Sequence, residues 1–183
     1  MIDPLIAKLL SVCLGLLLAA ATLHKVMSFQ RFVPVVRDYR LLPAQLARPA
    51  AALVVAAEAL LAIGWLARVA MPWVALLTTA MFAVYGAAIA INLLRGRVHI
   101  SCGCGLGGAA DGEQLLSWSL VLRNGLLASL ALLPGLPAAE RVLHTLDWMT
   151  LAAAVLTAAL LYFAATQLAR NGWAMGSWSR VDD

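Results

Sequence analysis

The chain has 183 residues, 63% of them hydrophobic and 12% charged. A soluble domain carries roughly a quarter of its residues as charges, so this composition excludes a soluble globular fold and predicts an all-α membrane protein. Thirteen Lys and Arg against nine Asp and Glu give a formal charge of +4 and a pI near 9.3, but no basic face or motif points to nucleic acid; the cations report topology, because cytoplasmic loops collect Lys and Arg.

Residues 5–23 are apolar apart from Lys8 and reach about 28 Å at helical rise, close to the hydrocarbon thickness of a bilayer. Ala19-Ala20-Ala21 has the small residues of a signal-cleavage site. The run before it is nevertheless long enough to span, and Asp3 weakens the basic start of a signal, so an uncleaved first helix is expected. Residues 24–49 interleave Lys25, Arg31, Arg37, Arg40 and Arg48 with Phe29, Phe32, Val36, Tyr39 and Leu42, a mixture that suits a segment lying on the membrane surface.

A second helix over 50–66 carries one charge, Glu58, and a small-residue stripe at Ala52, Ala56 and Ala59 that would let a neighbour approach closely. A third, over 73–94, has no charge and offers Ala83, Gly86, Ala87 and Ala90. It leads into the Gly-rich stretch 95–108, which holds Cys102 and Cys104. Asp111 and Glu113 then favour the positive end of a fourth helix over 115–133, and a connection through Arg141 and Asp147 reaches a fifth over 148–168. The expected fold is therefore five transmembrane helices in one integral membrane domain over 1–183, with helices one to four as a bundle and the Cys loop between the third and fourth. Trp65, Trp73, Trp118 and Trp148 fall near helix ends and read as interface anchors.

Five crossings put 24–49, the Cys loop and the C-terminal tail on one side. That side carries nine Lys or Arg (Lys25, Arg31, Arg37, Arg40, Arg48, Arg95, Arg97, Arg170, Arg180) against Arg68 and Arg141 on the other, so the charge rule makes the Cys loop cytoplasmic.

Counted from the Cys-loop face, Glu58 and Arg123 each lie about 12 Å deep and Tyr85 about 13 Å; Asn124 and Gln167 add further polar groups. An unpaired charge at such depth costs several kcal/mol, so a Glu58–Arg123 pair is expected, serving either as a structural lock on helix register or in binding a quinone headgroup or relaying protons. Cys102 and Cys104, one residue apart, would close a small ring through Gly103, a strained disulfide that is easily reduced. Arg95, Arg97 and His99 nearby would favour a thiolate. Cys13 falls about 15 Å deep and reads as an inert small hydrophobe. His24 and His144 sit near helix ends and read as interfacial. Cys102, Cys104 and His99 supply three ligands, short of a closed tetrahedral metal site, so no metal is expected.

In order, His24-Lys25, Phe32, Tyr39-Arg-Leu-Leu-Pro43, Glu58, Cys102-Gly-Cys-Gly105 and Trp118 with Arg123-Asn124 resemble the MauE branch of the DoxX-like membrane proteins, over most of the chain. Family members often have an aromatic residue where this chain has Leu106, a departure that touches loop packing more than the thiols. The resemblance implies a multi-pass protein of the bacterial inner membrane. Its work would be with a thioredoxin-like, MauD-like partner, in forming or sorting disulfides of a client such as the small subunit of periplasmic methylamine dehydrogenase. That role puts the loop on the periplasmic side, against the charge count. The bundle is also reminiscent of vitamin K epoxide reductase, which suggests a quinone acceptor by analogy.

The leading expectation is thus a thiol-disulfide oxidoreductase, quinone-linked by that analogy, with Cys102 and Cys104 as its redox pair and His99, Glu58, Arg123, Tyr85 and Asn124 in support. Two other classes stay open: a transporter passing a soft cation such as mercury or copper between Cys102, Cys104 and Cys13, and a non-catalytic assembly factor that holds a partner in the membrane.

Overall fold

A computed structural model describes residues 3–98, 100, 116–136, 139 and 141–178. Cys102, Cys104 and His99 lie outside them, as do most of the Gly-rich loop and the acidic residues Asp111 and Glu113. Among the described residues every regular element is a helix: α1 (Pro4–Met27), α2 (Phe29–Asp38), α3 (Ala47–Ala67), α4 (Met71–Leu94), α5 (Trp118–Leu132) and α6 (Thr145–Trp178), with 3-10 turns at Ala44–Leu46 and Leu133–Gly135. The chain divides into two compact units, Met1–Val142 with α1 to α5 and Leu143–Asp183 with α6.

Among the described residues, four helical stretches are long and apolar enough to cross a membrane: Pro4–Met27, Ala44–Ala67, Met71–Leu94 and Thr145–Ala165. The fourth expected helix, 115–133, appears as α5 with 15 residues. That is about 22 Å at helical rise, short of the roughly 20 residues that a crossing takes.

In the first unit α1 packs along α3, α4 packs along α5, and α2 lies against α3. The buried face of α1 is Ala7, Ser11, Leu14, Leu18 and Lys25, and that of α4 is Ala75, Thr78, Phe82, Gly86 and Ile89. Both follow the three-and-four spacing of a helix that buries one stripe. Leu14, Leu18, Leu61, Trp65 and Phe82 form the main core. A second cluster of Ile89, Leu116 and Leu120 packs with Tyr39, Leu93 and Ile100.

Three expectations change. Helix α1 runs on past Leu23 to Met27, because no Gly or Pro interrupts 24–27, and this moves Lys25 from the surface segment into a helix. On the α3 stripe Ala52 and Ala56 are exposed and no described helix of the first unit covers them, and close approach occurs instead at Gly15, where a Cβ would come within 2.8 Å of Leu66, and at Gly86, where one would lie 3.5 Å from the Asn124 Cβ. Trp65 is no interface anchor but fully buried, its indole N–H donating to Thr78 Oγ1 at 2.9 Å. Without that acceptor the buried indole N–H would cost about 1–3 kcal/mol in lost hydrogen bonding, which is why a buried Trp usually has a partner for it. Trp73, Trp118 and Trp148 are exposed, as interface anchors are expected to be.

Helix α2 has no buried residue. It turns Phe32, Val35 and Val36 inward and leaves Arg31 and Arg37 exposed, which is the amphipathic make-up expected of residues 24–49.

Thr78→Val should therefore lower the melting temperature in detergent by an amount equivalent to about 1–3 kcal/mol, the cost of stranding a buried donor, while Thr78→Ser should not. Circular dichroism melts measure it, and equal melting of the Val variant and the native protein would remove the Trp65–Thr78 bond from the account.

Candidate functional site

Three helices of the first unit bring their ionisable side chains to one point. Glu58 on α3 and Lys25 in the last turn of α1 are 1% and 4% exposed. The Lys25 ammonium pairs with Glu58 Oε1, and the Tyr85 hydroxyl on α4 donates to the same oxygen at 2.7 Å. Local structure favours the arrangement, since a cation in the last turn of a helix meets the negative end of its dipole. The ammonium also lies 5.3 Å from the Phe32 ring centroid and 5.4 Å from that of Tyr85, within the range at which a ring face attracts a cation. Glu58 Oε2 is buried with no hydrogen-bond partner among the described residues. The second acceptor atom of the carboxylate is thus left over for a proton or a further donor.

This arrangement corrects the expected pair of Glu58 with Arg123. The cation opposite Glu58 is Lys25, and no ion pair joins Glu58 to Arg123 among the described residues. Arg123 is half-buried on α5, and its Nε has no hydrogen-bond partner among those residues. Asn124 is buried; its amide donates back to the Leu120 carbonyl at 2.8 Å, and its Cβ faces Gly86 on α4. Of the expected supporting residues, Glu58 and Tyr85 meet, Asn124 seats α5 against α4, and Arg123 stands apart from the charge pair.

Next to the triad lies a cavity of about 200 Å³ between α2, α3 and α4, walled by Phe32, Val36, Leu42, Val54 and Ile89 with Lys25 at one side. Tyr39 contributes to the wall, and burial pushes its hydroxyl up to about 12, so it is a neutral phenol at physiological pH. Tyr39 and Ile89 also belong to the second core cluster, where the Leu116 N–H donates to the Val98 carbonyl at 3.2 Å. The chain is therefore held together on either side of residues 101–115, the stretch containing Cys102 and Cys104. Cys13 is a free thiol, half-buried on α1.

A family model, methylamine utilisation protein MauE, matches residues 3–137. The chain belongs to the MauE family. Relatives described as methylamine utilization protein MauE from Paracoccus denitrificans and Paracoccus versutus are each 39% identical to it, over 92% and 91% of this chain and 89% and 88% of theirs. The relative of that description from Methylorubrum extorquens is 39% identical over 75% of each chain. No solved structure matches. The match over residues 3–137 spans the buried triad, the cavity and both loop cysteines, and ends before α6.

Lys25 is the residue that reasoning from hydropathy missed, because it was counted among the cations of the surface segment. The signal was present in register: Ala7, Ser11, Leu14 and Leu18 step by four, three and four, and seven residues further the same stripe arrives at Lys25. Breaking the pair from one side should cost about 3–5 kcal/mol by stranding the other charge. Lys25→Met alone is expected to melt well below the native protein, and adding Glu58→Gln should recover a large part of the loss. Additive losses in that double-mutant cycle would show the two residues to be energetically independent.

Proposed function

We propose that this MauE-family chain is a thiol-disulfide redox protein of the bacterial inner membrane, serving methylamine utilisation with Cys102 and Cys104 as its exchanging pair. The observation that carries the reading is the Cys102-Gly-Cys-Gly105 element itself, in a stretch bracketed by the Val98–Leu116 hydrogen bond and covered by the family match. Two cysteines separated by one glycine make a strained and hence oxidising disulfide. Arg95, Arg97 and His99 precede it, and cations lower a thiol's pKa.

The chemistry is a two-electron exchange. A thiolate of a thioredoxin-like, MauD-like partner attacks one sulfur of the Cys102–Cys104 disulfide; the S–S bond breaks, a mixed disulfide forms, and the other loop sulfur leaves as a thiolate that takes up a proton. The partner's second thiolate then attacks its own sulfur in the mixed disulfide and releases the second loop thiol. The partner ends oxidised and able to place a disulfide in a periplasmic client such as the methylamine dehydrogenase small subunit, and the loop pair ends reduced until a two-electron acceptor in the membrane restores it. In this reading α5 and the turn after it make a fifth crossing, and the loop faces the periplasm.

Cys102→Ser and Cys104→Ser are each expected to abolish disulfide formation in the client, and one of the two should accumulate a covalent adduct with the partner. Cys13→Ser should change little; its loss of function would favour soft-metal transfer instead. Mass spectrometry after alkylation decides between redox and inert thiols: both loop cysteines fully alkylated without reductant, and again after mild oxidant, would overturn the proposal.

A membrane-impermeant maleimide should label Cys104 in intact cells after mild reduction. Labelling only after permeabilisation would move the loop to the cytoplasmic side, where the charge count puts it.

A further inference from the structure

The cavity between α2, α3 and α4 has three properties that together restrict what can occupy it. It is large enough for a substituted ring: about 150 Å³ of apolar cavity holds benzene, and this one is about 200 Å³. Its walls are apolar, with Lys25, Tyr39 and Tyr85 the only polar side chains in its described lining, so its occupant comes from lipid and not from water. Its one strong donor is the Lys25 ammonium, which has three N–H bonds and gives one to Glu58.

That donor is already neutralised by a buried carboxylate. An anionic head, such as a fatty-acid carboxylate, would bring a second negative charge beside Glu58 into a medium where unpaired charge is costly. A neutral carbonyl accepts from Lys25 without that cost. The rings of Phe32, Tyr39 and Tyr85 around the cavity favour a flat partner, through offset or edge contacts.

We propose that this cavity is the binding site for the headgroup of a lipid-soluble quinone, with one quinone carbonyl accepting a hydrogen bond from Lys25. The choice of a quinone among neutral, flat, lipid-soluble carbonyl compounds rests on the redox reading, in which the loop dithiol needs a membrane-soluble two-electron acceptor; the cavity's preference for that chemistry does not. Tyr39 and Ile89 serve both the cavity wall and the cluster where Val98 and Leu116 meet, so the site adjoins the ends of the Cys102–Cys104 stretch.

The test is photolabelling of the full chain in nanodiscs with an azido-substituted ubiquinone bearing a short isoprenoid tail. Labelling should be saturable, should fall within 32–42, 50–54 or 84–89, the segments that line the cavity, and should be displaced by decylubiquinone but not by palmitate. Ala88→Leu fills the cavity from α4 without touching the ion pair and should weaken labelling by about tenfold or more, as overfilling a packed site by a few methylenes typically costs more than 1 kcal/mol. Ala50→Leu fills it from α3 and gives the same reading should the first variant melt early. The Cys102→Ser/Cys104→Ser double variant should still be labelled, which separates this site from the thiol chemistry: inert thiols with intact labelling would overturn the redox reading alone. Labelling that is absent, lies elsewhere, is displaced equally by palmitate, or is unchanged in both filled variants would overturn the site.

Discussion

A carboxylate buried among apolar helices has to find a cation, and in this protein that requirement fixes which helices meet. Glu58 on α3 is almost inaccessible, and desolvating it alone would cost several kcal/mol. Lys25 answers it from α1 and Tyr85 from α4. The ammonium, having left water, also lies within cation–π range of the Phe32 and Tyr85 rings, so α2 is tied to the same point. One charge therefore specifies the mutual arrangement of four elements, in a setting where apolar packing discriminates poorly because lipid is as apolar as leucine.

The remaining contacts of the first unit work by closeness rather than by charge. Gly15 admits Trp65 and Leu66 of α3 against α1, and Gly86 admits Asn124 of α5 against α4. Several donors that packing would otherwise strand find acceptors nearby: the Trp65 indole N–H in Thr78, the Ser11 hydroxyl in the Ala7 carbonyl, the Asn92 and Asn124 amide NH2 groups in the Ala88 and Leu120 carbonyls one turn back. In a medium without water each of these bonds offsets a desolvation cost that no solvent molecule would otherwise meet.

Amphipathic α2 changes the character of this bundle. Laid against α3, it turns what would be lipid-facing surface of α3 and α4 into one side of a cavity and brings Phe32 and Tyr39 to it. Lys25 of the ion pair lines the cavity, and Leu116, whose N–H donates to the Val98 carbonyl, packs in the cluster that Tyr39 and Ile89 share with the cavity wall. The cavity wall and the cluster around Leu116 thus share Tyr39 and Ile89. Those shared residues are what the proposed thiol exchange and the proposed quinone binding have in common.

Much of this was legible in the sequence. Composition and the lengths of apolar runs gave an all-helical membrane protein, and four of the expected helices correspond to stretches long enough to cross, because hydropathy is a property of composition along the chain. The MauE resemblance rested on motifs such as Cys102-Gly-Cys-Gly105, which are local and need no fold to be seen. The amphipathic mixture of residues 24–49 and the isolation of Glu58 were visible for the same reason. What the sequence by itself left open was which charge meets which. Depth arithmetic matched Glu58 with Arg123 by assuming that each helix starts at the membrane face and that level residues are neighbours. Only the tertiary structure showed α1 continuing to Met27, Lys25 on its buried stripe, and α3 rather than α5 packed along it. A helix's rise fixes how deep a residue lies, but its partner is set by the rotation and order of the helices around it, which are properties of the packed bundle and of no single segment.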